Sequence, residues 1–139
     1  MALCRPPKKR SSVAKGRGKM KYDWLDAFCQ TQPGAVKEYK AEWDAIRFMV
    51  GGKMFALWGG DKEGRSIISL KLDPAFGDAL RQKYRDIVPG YYLNKVHWNS
   101  LYLEGDVPDE IVKTMVCQSH ALVFGALPKR VQREISPSS

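Results

Sequence analysis

The chain has 139 residues, of which 44% are hydrophobic, and it carries a formal net charge of +8. This length suffices for one hydrophobic core and is too short for two ordinary domains. No apolar run approaches the roughly 18 residues that suggest a membrane helix, and the charged amino terminus lacks the apolar core of a secretory signal. These features argue against a membrane or secreted protein and predict a single cytoplasmic domain.

The positive charge is concentrated at the amino terminus. Of the 23 Lys and Arg residues, eight lie within residues 1–21, so the rest of the chain holds 15 basic residues against 15 acidic ones. The first residues combine like charges with Pro, Gly and Ser and cannot bury enough surface to offset their ordering entropy. We therefore predict a disordered basic tail over residues 1–19 and one folded domain over residues 20–139. The tail either adds sequence-independent affinity for nucleic acid or is an upstream extension without function.

The patterned sequence opens with a short helix and a hairpin. Large side chains recur at helical spacing over residues 24–29, which predicts a short amphipathic helix. Ile46, Phe48 and Val50 then alternate, Gly51-Gly52 supplies a two-residue turn that tolerates positive φ, and residues 53–58 return as the partner strand. The polar, glycine-rich segment 59–65 is predicted to be a longer loop that could project like a wing before the next strand, at 66–72.

Helices and one more strand occupy the second half of the chain. Asp73-Pro74 places a capping acid before a proline suited to the first turn of a helix. A strand is predicted over residues 98–103, a long helix after Pro108 and a short basic helix after Pro128. Grouped strands with helices around them predict the α+β class, with a single antiparallel sheet covered by helices on one face.

The densest group of polar and aromatic side chains lies between residues 89 and 99, at a Pro-Gly turn that leads into a predicted strand. Lysines on the neighbouring predicted strands are expected to face the same surface. Cations interleaved with aromatic rings suit a nucleic-acid backbone or another anion. The candidate binding residues are Lys53, Lys71, Tyr92, Asn94, Lys95, His97, Trp98, Lys129 and Arg130.

Several of these residues also have an ordinary structural interpretation. Asn94 can cap a turn, His97 can satisfy a buried backbone group, and Trp98 can belong to the core. His120 lies among apolar helical neighbours and is expected to be packed. We predict no metal site, because two separated histidines and cysteines without a CxxC pair give no closed ligand set, and no cofactor, because Gly51-Gly52-Lys53 lacks the context of a phosphate loop.

The chain also carries a set of short motifs in a distinctive order. They are Pro33-Gly34, Val50-Gly51-Gly52-Lys53-Met54-Phe55-Ala56-Leu57, Ser69-Leu70-Lys71, Pro89-Gly90-Tyr91-Tyr92-Leu93-Asn94-Lys95, His97-Trp98-Asn99, Val107-Pro108-Asp109-Glu110 and Leu127-Pro128-Lys129. Over about residues 20–135 the sequence resembles the MmcQ/YjbR family of small bacterial proteins. The resemblance implies a frataxin-like (CyaY-like) α+β fold and a DNA-binding protein with no agreed enzymatic activity. Tyr92 stands where that family usually has histidine, and His120 where it commonly has tyrosine.

Three functions compete at the candidate residues. The first is weak, salt-dependent DNA binding directed mainly at the backbone, since no recognition helix rich in Arg and Asn is visible. The second is a small anionic ligand or a protein partner bound at the same residues, with no nucleic-acid role for the folded domain. The third is an enzyme in which His97 works with Asp73 or Glu104, for which the sequence supplies no distances. We favour DNA binding by a monomer without enzymatic activity.

Overall fold

The computed structural model describes residues 22–90 and 93–136, so the predicted tail and Tyr92 lie outside the described residues. The elements are α1 (Leu25–Gln30), β1 (Val36–Lys40), β2 (Ala45–Val50), β3 (Lys53–Gly60), β4 (Ser66–Lys71), α2 (Pro74–Lys83), β5 (Ile87–Pro89), β6 (Trp98–Tyr102), α3 (Asp109–Gly125) and α4 (Lys129–Ile135). Within these ranges, no helix has the length and apolarity needed to cross a membrane.

The strands form one six-stranded sheet in the order β1-β2-β3-β4-β6-β5. Every neighbouring pair is antiparallel. This arrangement confirms the predicted α+β class with a single antiparallel sheet. The more specific frataxin-like assignment stays a prediction.

The helices cover one face of the sheet. A single buried cluster joins Leu80 of α2 and Met115 of α3 to Ile68 and Leu70 of β4. In the cross-strand register Ile68 is opposite Leu101 and Leu70 is opposite Asn99, so β6 contributes to the same face. The side chains that alternate with these point away from α2 and α3.

The β2–β3 turn is built as predicted and also fixes the position of α4. Gly51 and Gly52 have φ of +58° and +84°, a region that favours glycine. A Cβ atom added to Gly51 would lie 2.6 Å from Leu127 Cδ1. The turn therefore needs glycine both for its backbone conformation and for the close approach of the segment that leads into α4.

His120 is a packed residue of α3, as predicted. Its imidazole meets Phe55 edge-on, with ring centroids 5.2 Å apart, and stacks on Phe124 at 5.7 Å. Because the Pro33 carbonyl, 2.7 Å from Nε2, can only accept a hydrogen bond, Nε2 carries the proton. Burial lowers the pKa of His120, and the bond to Pro33 opposes that shift in part.

The lowered pKa predicts a stability that depends on pH. The unfolded chain binds a proton on His120 near the ordinary pKa of about 6.5, whereas the folded protein resists protonation. The stabilisation is therefore complete above that pKa and is lost as the pH falls below about 6.5, with a slope of at most about 1.4 kcal/mol per pH unit. Urea unfolding across this window should show a shallower slope for His120→Gln than for the wild type. Leu122→Gln, on the exposed side of the same helix, should keep the wild-type slope, and equal slopes for all three proteins would contradict the assignment.

Candidate nucleic-acid interface

Five cations from four segments of the chain lie at one end of the sheet. Lys53 begins β3 and Lys71 ends the adjacent antiparallel strand β4, so both stand at the same end. Lys95 lies in the loop between β5 and β6, and Lys129 and Arg130 begin α4. We call these five residues the basic end.

The packing of Leu127 brings α4 to the basic end. Its side chain lies against Gly51 in the turn between β2 and β3, two residues before Lys53. Lys129 and Arg130 follow directly after Pro128 and are exposed. The cations of α4 and of β3 therefore lie on either side of this one contact.

The loop that carries Lys95 is held by its own hydrogen bonds. The Oδ1 atom of Asn94 accepts from the Val96 N–H at 2.8 Å, and the Trp98 N–H donates to the Asn94 carbonyl at 2.9 Å. The Lys95 ammonium donates to the Gly90 carbonyl at 3.0 Å, which leaves two of its three donors for a ligand. The side chain of Asn94 thus caps a turn, as its structural interpretation predicted.

His97 and Trp98 adjoin Lys71 at the start of β6. Trp98 is the register partner of Lys71, and the His97 carbonyl accepts from the Leu72 N–H at 2.7 Å. Both side chains are half-buried. They form an aromatic flank of the basic end on which a base or a sugar can pack.

The pairs that an enzyme based on His97 would need are not assembled. Glu104 lies beyond the far end of β6, whereas His97 precedes its beginning. The carboxylate of Asp73 accepts a hydrogen bond from the Ala75 N–H at 3.1 Å and caps α2. No carboxylate of residues 22–90 or 93–136 is hydrogen-bonded to the imidazole of His97, and the same ranges contain no cluster of three or more metal-binding side chains.

Ion pairing distinguishes the basic end from only some of the other cations, because Lys62, Lys83, Arg85, Lys113 and Arg133 likewise form no ion pair with a described carboxylate. Five cations lie within 4.0 Å of a carboxylate, namely Lys37, Lys40, Arg47, Arg65 and Arg81. Among the described carboxylates, none forms such an ion pair with a member of the basic end. A domain that is neutral in total therefore has unneutralised positive charge at one end of its sheet.

The opposite end of the sheet is acidic. Asp86, Asp106 and Asp109 follow or adjoin the far ends of β5 and β6. Burial, followed by the negative charge of these three carboxylates, raises the pKa of Tyr22 to about 12. The long axis of α3 runs from the acidic end towards the basic end, so its C-terminal dipole favours cations there.

Ser119 is a residue of this region that the sequence did not reveal. Its buried hydroxyl accepts from the Lys71 N–H at 2.8 Å and donates to the Phe55 carbonyl at 2.5 Å. It thereby joins β3 and β4 just beyond Ala56 and Leu70, their last register pair. No local pattern marks a serine on an apolar helix for this role, because both partners are distant in sequence.

A cavity of about 470 Å³ lies elsewhere, on the face of the sheet turned away from α2 and α3. No cation of the basic end lines it. The alternative that these residues bind a small anionic ligand or a protein partner stays a prediction. The basic end is an exposed surface.

The fold and the basic end define a small α+β protein built on one antiparallel sheet with separated charge. Residues 30–122 match the YjbR family model, and the chain belongs to the YjbR family. This membership confirms the resemblance drawn from the motifs.

Relatives from several bacteria support the same assignment. The uncharacterized protein YjbR of Escherichia coli K12 is 32% identical over 106 residues, which cover 76% of this chain and 89% of the relative. The uncharacterized protein YbdF of Escherichia coli O157:H7 is 36% identical over 90 residues, 65% of this chain and 73% of the relative. The crystal structure of Deinococcus radiodurans protein DR2400, with the domain DUF419, matches with a TM-score of 0.74 and 31% identity over 84% of this chain and 88% of that one. A Pseudomonas syringae protein with 23% identity and a TM-score of 0.62, covering 74% of this chain and 98% of that one, shares the fold.

Proposed function

We propose that this protein binds nucleic acid weakly through the basic end, with contacts directed mainly at the phosphate backbone. The observation that supports this proposal is the group of five cations from four segments with no carboxylate paired to any of them among the described residues. Cations without a paired carboxylate need not break an ion pair when a phosphate arrives. Each phosphate contact then releases condensed counterions, which drives binding.

The length and exposure of α3 and α4 argue against sequence-specific recognition of DNA bases. α3 packs on the sheet with six of its 17 residues buried, and α4 has only seven residues. Neither offers a long, exposed helix that could enter a major groove with several side chains on base edges. We therefore propose affinities in the range of non-specific binding, about 10⁻⁴–10⁻⁶ M at physiological salt, with little preference among sequences.

The test compares two double variants of equal charge in the full chain. Lys71→Ala with Lys129→Ala removes two cations of the basic end, and Lys62→Ala with Arg85→Ala removes two exposed cations near the acidic end. Fluorescence anisotropy with a labelled duplex and a labelled single strand is recorded over a range of salt concentrations. We expect the basic-end variant to bind about tenfold more weakly at low salt and to lose about two units from the slope of log K against log salt for duplex DNA.

The control variant carries the same net charge as the basic-end variant, but it leaves all five cations of the basic end in place. It should therefore keep the wild-type slope. Equal losses in the two variants would mean that net charge determines binding, and no loss in either variant would mean that the amino-terminal cations bind the DNA; in both cases the basic end would have no special role. Competition by inorganic phosphate at concentrations that leave ionic strength unchanged would instead favour a small anionic ligand at the same cations.

A further inference from the structure

The cavity on the sheet face opposite to α2 and α3 has a floor made by β3 and β4. Leu57 is paired with Ser69 and Gly59 with Ile67, so these four residues share one face. Trp43, in the turn between β1 and β2, and Leu93, in the loop before β6, form its walls. Its volume of about 470 Å³ lies within the range of small-molecule sites.

Missing side chains make the floor deep at one end. Gly59 presents no side chain beside Ala45, and a Cβ atom there would lie only 3.1 Å from the Ala45 Cβ. Gly60, the next residue, also lines the cavity. The depression therefore follows from the sequence of β3.

The described lining residues are uncharged and mainly apolar. Among the described lining residues, only Ser69 and the indole N–H of Trp43 supply polar side-chain groups, and the Ser69 hydroxyl is hydrogen-bonded to that of Ser100 at 2.7 Å. The backbone groups of Gly59 and Gly60 lie in the ladder with Ile67 and Ser66. A charged ligand would lose its hydration here without finding an opposite charge in the floor.

The Trp43 indole forms an aromatic wall of the cavity. Cationic side chains that are not among the described lining residues contact this ring. The Trp43 side chain is 51% exposed, a large apolar surface left in contact with solvent. Lys40 Nζ and Arg47 Cζ each lie 5.7 Å from the indole centroid. Both cations are in turn paired with carboxylates, which positions the ring without a contribution from the core.

From the neutral lining, the volume and the exposed indole, we propose that the cavity binds a small, uncharged aromatic molecule of one or two fused rings. The ring packs against the Trp43 indole and buries its other surface against Leu57, Ile67 and Leu93. This site is separate from the basic end and does not depend on nucleic-acid binding.

The test uses 2-naphthol as the probe and the full chain labelled at its Leu and Ile methyl groups. We expect saturable shifts of the methyl resonances of Leu57, Ile67 and Leu93. Leu93→Ala should weaken binding about tenfold and Trp43→Ala by a similar factor, since each removes a wall. Val96→Ala, which changes an exposed residue three positions from Leu93 in the same loop, should bind like the wild type.

Neither Trp43 nor Leu93 belongs to the buried core cluster, so both variants should fold, and their Tm values check this. Absence of saturable methyl shifts in the wild type would overturn the proposal. It would also be overturned if 2-naphthol bound Leu93→Ala, Trp43→Ala and Val96→Ala with the same affinity as the wild type, because binding would then lie elsewhere. Neither result would bear on the basic end, whose test is the salt dependence of DNA binding.

Discussion

Replacing Ser119 with alanine should lower the free energy of unfolding by about 2–4 kcal/mol. The Ser119 hydroxyl satisfies the Lys71 N–H and the Phe55 carbonyl at once, and both Ser119 and Phe55 are fully buried. Alanine leaves a donor and an acceptor without partners in a region from which the packing of α3 excludes water. An unsatisfied buried polar group costs about 1–3 kcal/mol, more than the net value of the bond it replaces.

Thr114→Ala is the matched control for this variant. Thr114 lies on the same helix, and its hydroxyl donates to the Glu110 carbonyl at 2.9 Å on an exposed surface. Its loss should change stability by no more than about 0.5 kcal/mol. Urea unfolding of both variants measures the difference, and a Ser119→Ala protein as stable as Thr114→Ala would contradict the bridging role.

The sequence predicted the elements whose residues carry a local pattern. Alternation in β2, the Gly51-Gly52 turn and the Asp73 cap each follow from neighbouring residues, and the structure has all three. The segment Val36–Lys40 shows no such pattern, because four of its five residues are exposed, and no strand was predicted there. It is a strand because it pairs with β2 at the edge of the sheet.

The predicted loop over residues 59–65 was too long, and its expected wing is absent from the described structure. Gly59 and Gly60 continue β3 opposite Ile67 and Ser66, since the ladder with β4 extends past the last side chain that shows alternation. Asp61 then closes a short loop by accepting from the Glu63 and Arg65 N–H groups at 2.9 and 2.8 Å. In the sequence, the pair Gly59-Gly60 is typical of a turn. It is part of β3 because it pairs with β4, and this pairing cannot be predicted from the neighbouring residues.

In the candidate site, the positions of the lysines on strands could be predicted from the sequence, whereas the position of the lysine on α4 could not. Lys53 and Lys71 share one end of the sheet because antiparallel neighbours must meet there, which the hairpin pattern already implied. The position of Lys129 depends on Leu127 against Gly51, a contact between residues 76 positions apart. Periodicity carries no information about such a contact, so the approach of α4 could only be read from the structure.

Gly90→Ala should both destabilise the domain and weaken the proposed nucleic-acid binding. A Cβ atom at Gly90 would lie 2.9 Å from the Trp98 carbonyl oxygen, a backbone atom that also accepts the Gly90 N–H at 2.8 Å. The segments that contain Gly90 and Trp98 must therefore move apart where β5 leads into the loop. Overpacking of this kind costs about 1–3 kcal/mol of stability. Because the Gly90 carbonyl also holds the Lys95 ammonium, the displacement should reach the basic end.

Gly125→Ala provides the opposite expectation at a glycine with free space. No atom lies within 4 Å of a Cβ placed there, and the residue ends α3. Alanine should stabilise the helix by up to about 1 kcal/mol and leave DNA affinity unchanged. Thermal unfolding and fluorescence anisotropy of both variants separate the effect on stability from the effect on DNA affinity.

If Gly90→Ala lost stability but kept full affinity for DNA, the loop would be structurally required while Lys95 would not belong to the binding surface. Loss of both would support a basic end whose geometry depends on the close approach of residues 90 and 98.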